Sequence, residues 1–136
     1  MRLTHLKKKL YSLGHSYEKI LHTRLRPGLS RLNKHLFSYN LCLSKFCDHC
    51  DGNKIEDTKH YLLKCSRYTS PRITLLLNVK HIICPDINIT LLRDLCPTYL
   101  TKICIEGSNN DLSTVMNQEL FTRVFKFIKS THRFIR

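Results

Sequence analysis

Acidic side chains are scarce in this chain. Ten Asp and Glu stand against 23 Lys and Arg, giving a formal net charge of +13 and an isoelectric point near 9.7. A polyanionic partner fits that balance, nucleic acid before membrane. The aspartates Asp48, Asp51, Asp57, Asp86, Asp94 and Asp111 are scattered, whereas a polymerase sets its metal-binding aspartates close together to hold two cations. Paired carboxylates, a Gly-rich phosphate loop, a nucleophile elbow and a Ser/His/Asp set are all missing. Cys and His are plentiful, but nothing singles out a base or an orienting partner for thiol catalysis. No apolar run approaches the ~18 residues of a membrane span. The basic start, Met1 to Lys9, is not followed by the uninterrupted apolar stretch of a signal peptide. An odd count of 7 cysteines without export signals points to a reducing compartment, nucleus or cytoplasm, with thiols free or on metal. There is no internal repeat and no low-complexity segment. These absences leave a non-catalytic binding module as the expectation.

What the chain does contain is a Cys/His cluster. It reads Cys47-Asp48-His49-Cys50, nine residues, His60, four residues, Cys65. Three thiols and an imidazole at this spacing can close a tetrahedral Zn²⁺ site, with ligand atoms expected within about 4 Å of one another. Asp51-Gly52-Asn53-Lys54 is turn-prone and can fold the two arms together. His49 is the alternative nitrogen ligand and Cys42 the alternative sulfur; a solvent-facing His49 and a buried Cys42 are the expectation. Cys84, Cys96 and Cys104 show no ligand spacing and read as core or incidental. His60 and Cys65 lie five apart, ~140° around an ideal α-helix, so the helix carrying His60 has to end or distort before Cys65. Asp57 or Thr58 can cap that helix, and the acidic pair Glu56-Asp57 suits its positive end.

Around this cluster a mainly α fold is expected: a small helical domain with a zinc-knuckle-like Cys-Cys-His-Cys insert on a short turn or hairpin. Residues 1–15 read as a basic extension and 16–136 as one domain. Within it, 16–44 form a basic helix pair, 45–68 the metal module and 69–136 a C-terminal helical part. Tyr17, Ile20, Leu21 and Leu25 recur at helical spacing, and Pro27 and Gly28 end that helix near Arg26. Ser30 can cap a second helix with Leu32, Leu36 and Phe37 inward and Arg31, Lys34 and His35 outward. A third helix follows Ser70-Pro71, with Ile73, Leu76 and Leu77 inward; periodicity leaves 86–92 open between strand and helix. The last helix, about 114–133, sets Met116, Leu120, Phe121, Val124, Phe127 and Ile128 on one face, to pack on Ile73, Leu76 and Leu77.

Charge concentrates at the two ends. Residues 1–46 carry 10 basic and 1 acidic residue, and the last fourteen carry 5 basic and none acidic. Arg24, Arg26, Arg31 and Lys34 form either a phosphate-contacting face or a solvated one. His49 joins them as a nucleic-acid-binding candidate, and His49 and Tyr61 are candidates for stacking on unpaired bases.

Three stretches resemble one family. Arg24-Leu25-Arg26 with Ser30-Arg31-Leu32-Asn33-Lys34-His35-Leu36-Phe37 is similar to a segment beyond the polymerase domain of Jockey-like non-LTR retrotransposon reverse transcriptases. So is Cys-x-x-Cys followed by Glu56-Asp57-Thr58-Lys59-His60-Tyr61-Leu62-Leu63-Lys64-Cys65-Ser66-Arg67-Tyr68. Asn117-Gln118-Glu119-Leu120-Phe121 with Phe127-Ile128-Lys129-Ser130-Thr131-His132-Arg133-Phe134 resembles the helix that closes those polyproteins. The likeness runs over about residues 20–136. It departs at Pro27-Gly28-Leu29, where Gly-His or Cys is commoner, and at Ser66, where Pro is usual. It implies a C-terminal tail whose endonuclease and polymerase lie upstream. Cys47, Cys50, His60 and Cys65 match the family's ligand positions, and the tail would grip template RNA or target DNA during target-primed reverse transcription. A truncated or decayed copy, with zinc holding a fold that contacts no nucleic acid, is the alternative expectation.

Overall fold

The computed structural model describes residues 16–51, 53–83, 97–108 and 112–134. The basic extension 1–15, Gly52, Cys84, the undecided 86–92 stretch and Cys96 lie outside them. The fold is mainly helical, as the periodicity predicts. In chain order it has α1 (Ser16–Leu25), α2 (Asn33–Ser38), a π-helical turn (His60–Lys64), a 3₁₀ turn (Ser66–Tyr68), α3 (Thr69–Ile83), α4 (Pro97–Glu106) and α5 (Thr114–Thr131). Among the described residues the only strand-like pairing is an antiparallel bridge between Phe46 and Ile55.

Helix α5 is the axis of the domain, and α1, α3 and α4 all pack on it, α3 most extensively. The Ser113 hydroxyl accepts the Met116 N–H at 3.2 Å and caps the start; His132 ends the helix in the left-handed conformation. Leu120, Phe121, Val124, Phe125, Phe127 and Ile128 are all buried, a band too wide for a one-sided surface helix. Its expected partners are only partly right. Leu76 packs inward with Leu75, Val79 and Arg72, whereas Ile73 and Leu77 are 52% and 54% exposed. Helix α3 is apolar on both faces, so its composition does not tell which one turns inward.

Two further faces turn differently from expectation, and each buries a histidine. In α1, Leu21 and Leu25 are buried as predicted, but Ile20 is 48% exposed and His22 is fully enclosed. The His22 ring sits 4.7 Å from Phe121 and 5.3 Å from Phe125, and its Nε2 lies 2.7 Å from the Cys104 carbonyl. In α2, Leu32 is buried, Phe37 is 43% exposed and His35 turns inward. The Ser30 hydroxyl accepts the Leu32 N–H at 3.2 Å and lies 2.6 Å from His35 Nδ1, so the expected cap residue instead satisfies a buried imidazole. The α1–α2 corner itself follows the Pro-Gly signal: Leu29 N–H bonds the Arg24 carbonyl at 2.9 Å, with Gly28 at φ +74°, a conformation glycine adopts without strain.

Candidate metal centre

The two arms of the cluster come from different local structures. Cys47 lies beside the bridge: its N–H bonds the Lys54 carbonyl at 2.7 Å, and Glu56 N–H bonds Lys45 O at 3.0 Å. This short hairpin turns the chain through Cys50. The second arm is the π-helical turn. Asp57 Oδ1 accepts the His60 N–H at 2.8 Å and caps its start. The chain then winds so that Cys65 N–H bonds the His60 carbonyl at 2.8 Å, a bond spanning five residues. A five-residue bond closes a π turn, and it brings Cys65 round towards His60, which regular α-winding at this spacing does not do. The distortion expected before Cys65 is therefore a widening of the turn. Widening frees carbonyls, and Arg72 satisfies two of them: its Nε donates to Leu62 O at 2.9 Å and its NH2 to Tyr61 O at 3.3 Å.

Cys47, Cys50, His60 and Cys65 each direct one ligand atom to a common point, all four within 4.8 Å of one another. Cys47 Sγ is 3.7 Å from Cys65 Sγ, Cys50 Sγ is 3.9 Å from Cys65 Sγ, and Cys50 Sγ is 3.5 Å from His60 Nε2. A tetrahedral ion with sulfur at about 2.3 Å and nitrogen at about 2.0 Å has edges of about 3.8 and 3.5 Å. The longest separation exceeds the expected 4 Å, and the three edges above match the tetrahedron. The cluster can hold a metal ion. Cys47 and Cys65 are buried and Cys50 half-buried, and all three are free thiols.

Backbone donors surround the sulfurs. The His49 N–H points at Cys47 Sγ at 3.4 Å, and the Arg67 N–H does the same for Cys65, in each case two residues on. The Ser66 N–H lowers the Cys50 thiol below its ordinary value. Burial pushes Cys65 up to about 12, a cost that a bound cation reverses. Burial holds His60 below the usual imidazole value, only partly offset by Asp57 and Glu56, so near neutral pH it is the uncharged form that can ligate a metal. Cys104 is buried beside His22 and Cys42 lies half-buried by Asn33; neither belongs to the cluster. His49 is exposed and meets the Arg67 guanidinium.

The other candidate residues separate. Arg31 and His49 line one groove of about 590 Å³, with Arg67, His132 and Arg133. Arg26 lies 3.8 Å from Glu106 in a different cleft, beside Thr58, Lys59 and Lys102. Arg24 and Lys34 are exposed. Tyr61 is 0% exposed, which removes it as a base-stacking residue. Its hydroxyl meets Thr131 Oγ1 at 2.7 Å and its ring packs edge-on to Phe127 and Phe134, both at 5.3 Å.

Glu56 carries more than the helix-end charge expected of it. It is 2% exposed. Arg133 donates to it twice, Nε to Oε2 at 3.0 Å and NH2 to Oε1 at 2.7 Å, and the Asn33 N–H donates to Oε1 at 2.7 Å. One carboxylate thus joins the hairpin that carries Cys47, the start of α2 and the chain beyond α5. No helix among the described residues is long and apolar enough to cross a membrane. No family model, curated protein or solved structure matches the chain.

Proposed function

We propose that Cys47, Cys50, His60 and Cys65 hold a structural Zn²⁺ and that the chain is a non-catalytic nucleic-acid-binding module. In this reading it is the C-terminal part of a Jockey-like non-LTR retrotransposon reverse transcriptase polyprotein, gripping template RNA or target DNA in target-primed reverse transcription. The upstream polymerase domain would be its second partner, and the nucleus or cytoplasm its compartment. The observation that carries the metal reading is the convergence of one nitrogen and three sulfurs within 4.8 Å of one another, with three edges of tetrahedral length. Three thiolates and an imidazole favour zinc over the oxygen-seeking Mg²⁺ and Ca²⁺. Four protein ligands leave no position for water or substrate, the arrangement of structural rather than catalytic zinc. Bound there, the ion would cross-link the two arms and offset the charge of the thiolates.

The nucleic-acid half is supported by the +13 charge and by the cationic groove beside the cluster. Titrating the metal-loaded protein with single-stranded RNA and DNA at stepped salt tests it. Binding to both, falling steeply with salt, is expected of an interface that neutralises phosphates. No binding to either at low salt would overturn the nucleic-acid reading. It would favour a decayed copy in which zinc only holds the fold.

A further inference from the structure

The groove lined by Arg31, His49, Arg67 and His132 is concave and cationic. Its volume of about 590 Å³ lies within the range of ligand clefts. All four of those side chains are exposed. Of the groove's other lining residues, Arg133 is already engaged by buried Glu56, and Asp48 is the exposed acid. Among the described residues neither Arg31 nor Arg67 forms an ion pair with a carboxylate. Arg67 instead meets the His49 ring, and its guanidinium carbon lies 6.0 Å from the Tyr68 ring centre. Two guanidinium groups that share one groove, with Asp48 as its one exposed acid, favour an anion there.

Each residue is also held in place. His49 lies between Cys47 and Cys50, and Arg67 two residues after Cys65, so both ride on the loops of the metal centre. Arg133 NH2 bonds the Arg31 carbonyl at 3.1 Å while its neighbouring atoms hold Glu56. Leu36 and Leu41 line the same groove, and Leu41 is 70% exposed. That apolar wall suits the base face of an unpaired strand; a duplex keeps its bases stacked inside.

We propose that this groove is the site where the backbone phosphates of a single nucleic-acid strand bind, through Arg31, Arg67, His49 and His132. The proposal rests on the nucleic-acid reading above and moves the contact surface from the expected Arg24–Lys34 face to the metal centre. Arg67 and His132 are new members of that surface.

The test is a salt titration of a fluorescent single-stranded RNA with three metal-loaded proteins: wild type, an Arg31→Ala/Arg67→Ala variant and an Arg24→Ala/Lys34→Ala variant. All four substituted side chains are exposed, and equal metal content with equal helicity confirms that the variants fold. The groove variant is expected to bind more weakly, with a log–log salt slope shallower by about 1.4, two contacts at about 0.7 each on a single strand. An unchanged slope in the groove variant, with wild-type binding intact, overturns this inference and leaves the nucleic-acid reading standing. Wild-type protein that binds neither this RNA nor the same strand as DNA overturns both.

Discussion

Glu56 shows how much one side chain can hold in a small domain. It is enclosed and accepts three hydrogen bonds, two from Arg133 and one from the start of α2. Removing it leaves a half-buried guanidinium unpaired, which costs far more than the intact pair contributes. Glu56→Ala is expected to lose about 3 kcal/mol in denaturant unfolding, within the range for breaking buried pairs. A loss under about 0.5 kcal/mol, the size of an ordinary surface change, would contradict that role. His22 sets a pH dependence. Burial lowers it from 6.5 to about 4, so the folded state excludes a proton that the unfolded chain accepts below pH 6.5. Its contribution is complete above pH 6.5 and declines as the pH falls towards 4, by about 3 kcal/mol in all. The measurement is the stability of wild type and His22→Gln across that window. Metal loss in acid is common to both, so the gap between the curves isolates His22. The wild-type curve is expected to fall more steeply; parallel curves would rule the mechanism out.

At the level of elements, the π turn and the arginine that completes it stand out. Arg72 donates to the Leu62 and Tyr61 carbonyls, and each buried carbonyl left unpaired costs about 1–3 kcal/mol. Arg72→Met is therefore expected to destabilise by about 2–4 kcal/mol and to weaken metal retention against a chelator, because the turn positions His60 and Cys65. Full stability with unchanged metal retention would show that the turn holds its shape unaided. On α3, Leu76→Ala is expected to cost about 2–5 kcal/mol, and Leu77→Ala within about 0.5 kcal/mol. Equal losses in denaturant unfolding would restore the inward face that periodicity predicts. These contrasts mark what the sequence could disclose. The convergence of Cys47, Cys50, His60 and Cys65 was legible because ligand chemistry depends on residue type and spacing, and both are read from the chain itself. Helix α5 was legible because its apolar residues are long-range periodic and its Ser113 cap is a local signal. His22, His35 and Arg72 were not, because a buried polar residue is justified only by partners distant in sequence. Helix α4 is short, and its buried Leu100, Ile103, Cys104 and Ile105 give a blurred period. Pro97 at its first position and Gly107 just past its end, at φ +71°, are the helix punctuation that could have found it.

Over the whole molecule, the Cys/His cluster and the apolar core are one structure. Cys47 and Cys65 belong to the same buried cluster as Leu21, Leu63, Leu100, Leu120 and Val124. Tyr61, from the turn that carries His60, plugs the end of α5 through Thr131, Phe127 and Phe134. Structural zinc in small domains contributes on the order of 10 kcal/mol of folding free energy, comparable with the whole stability of a domain this size. Chelation is thus expected to loosen all the helices together, seen as a loss of helicity that returned zinc restores. The most direct measurement is the zinc content of purified protein and of two variants, Cys50→Ser and Cys42→Ser. One zinc per chain is expected in wild type and in Cys42→Ser, with none retained by Cys50→Ser after dialysis. A zinc-free wild type, or a Cys50→Ser protein that keeps its full complement, would contradict the assignment of Cys47, Cys50, His60 and Cys65 as the site.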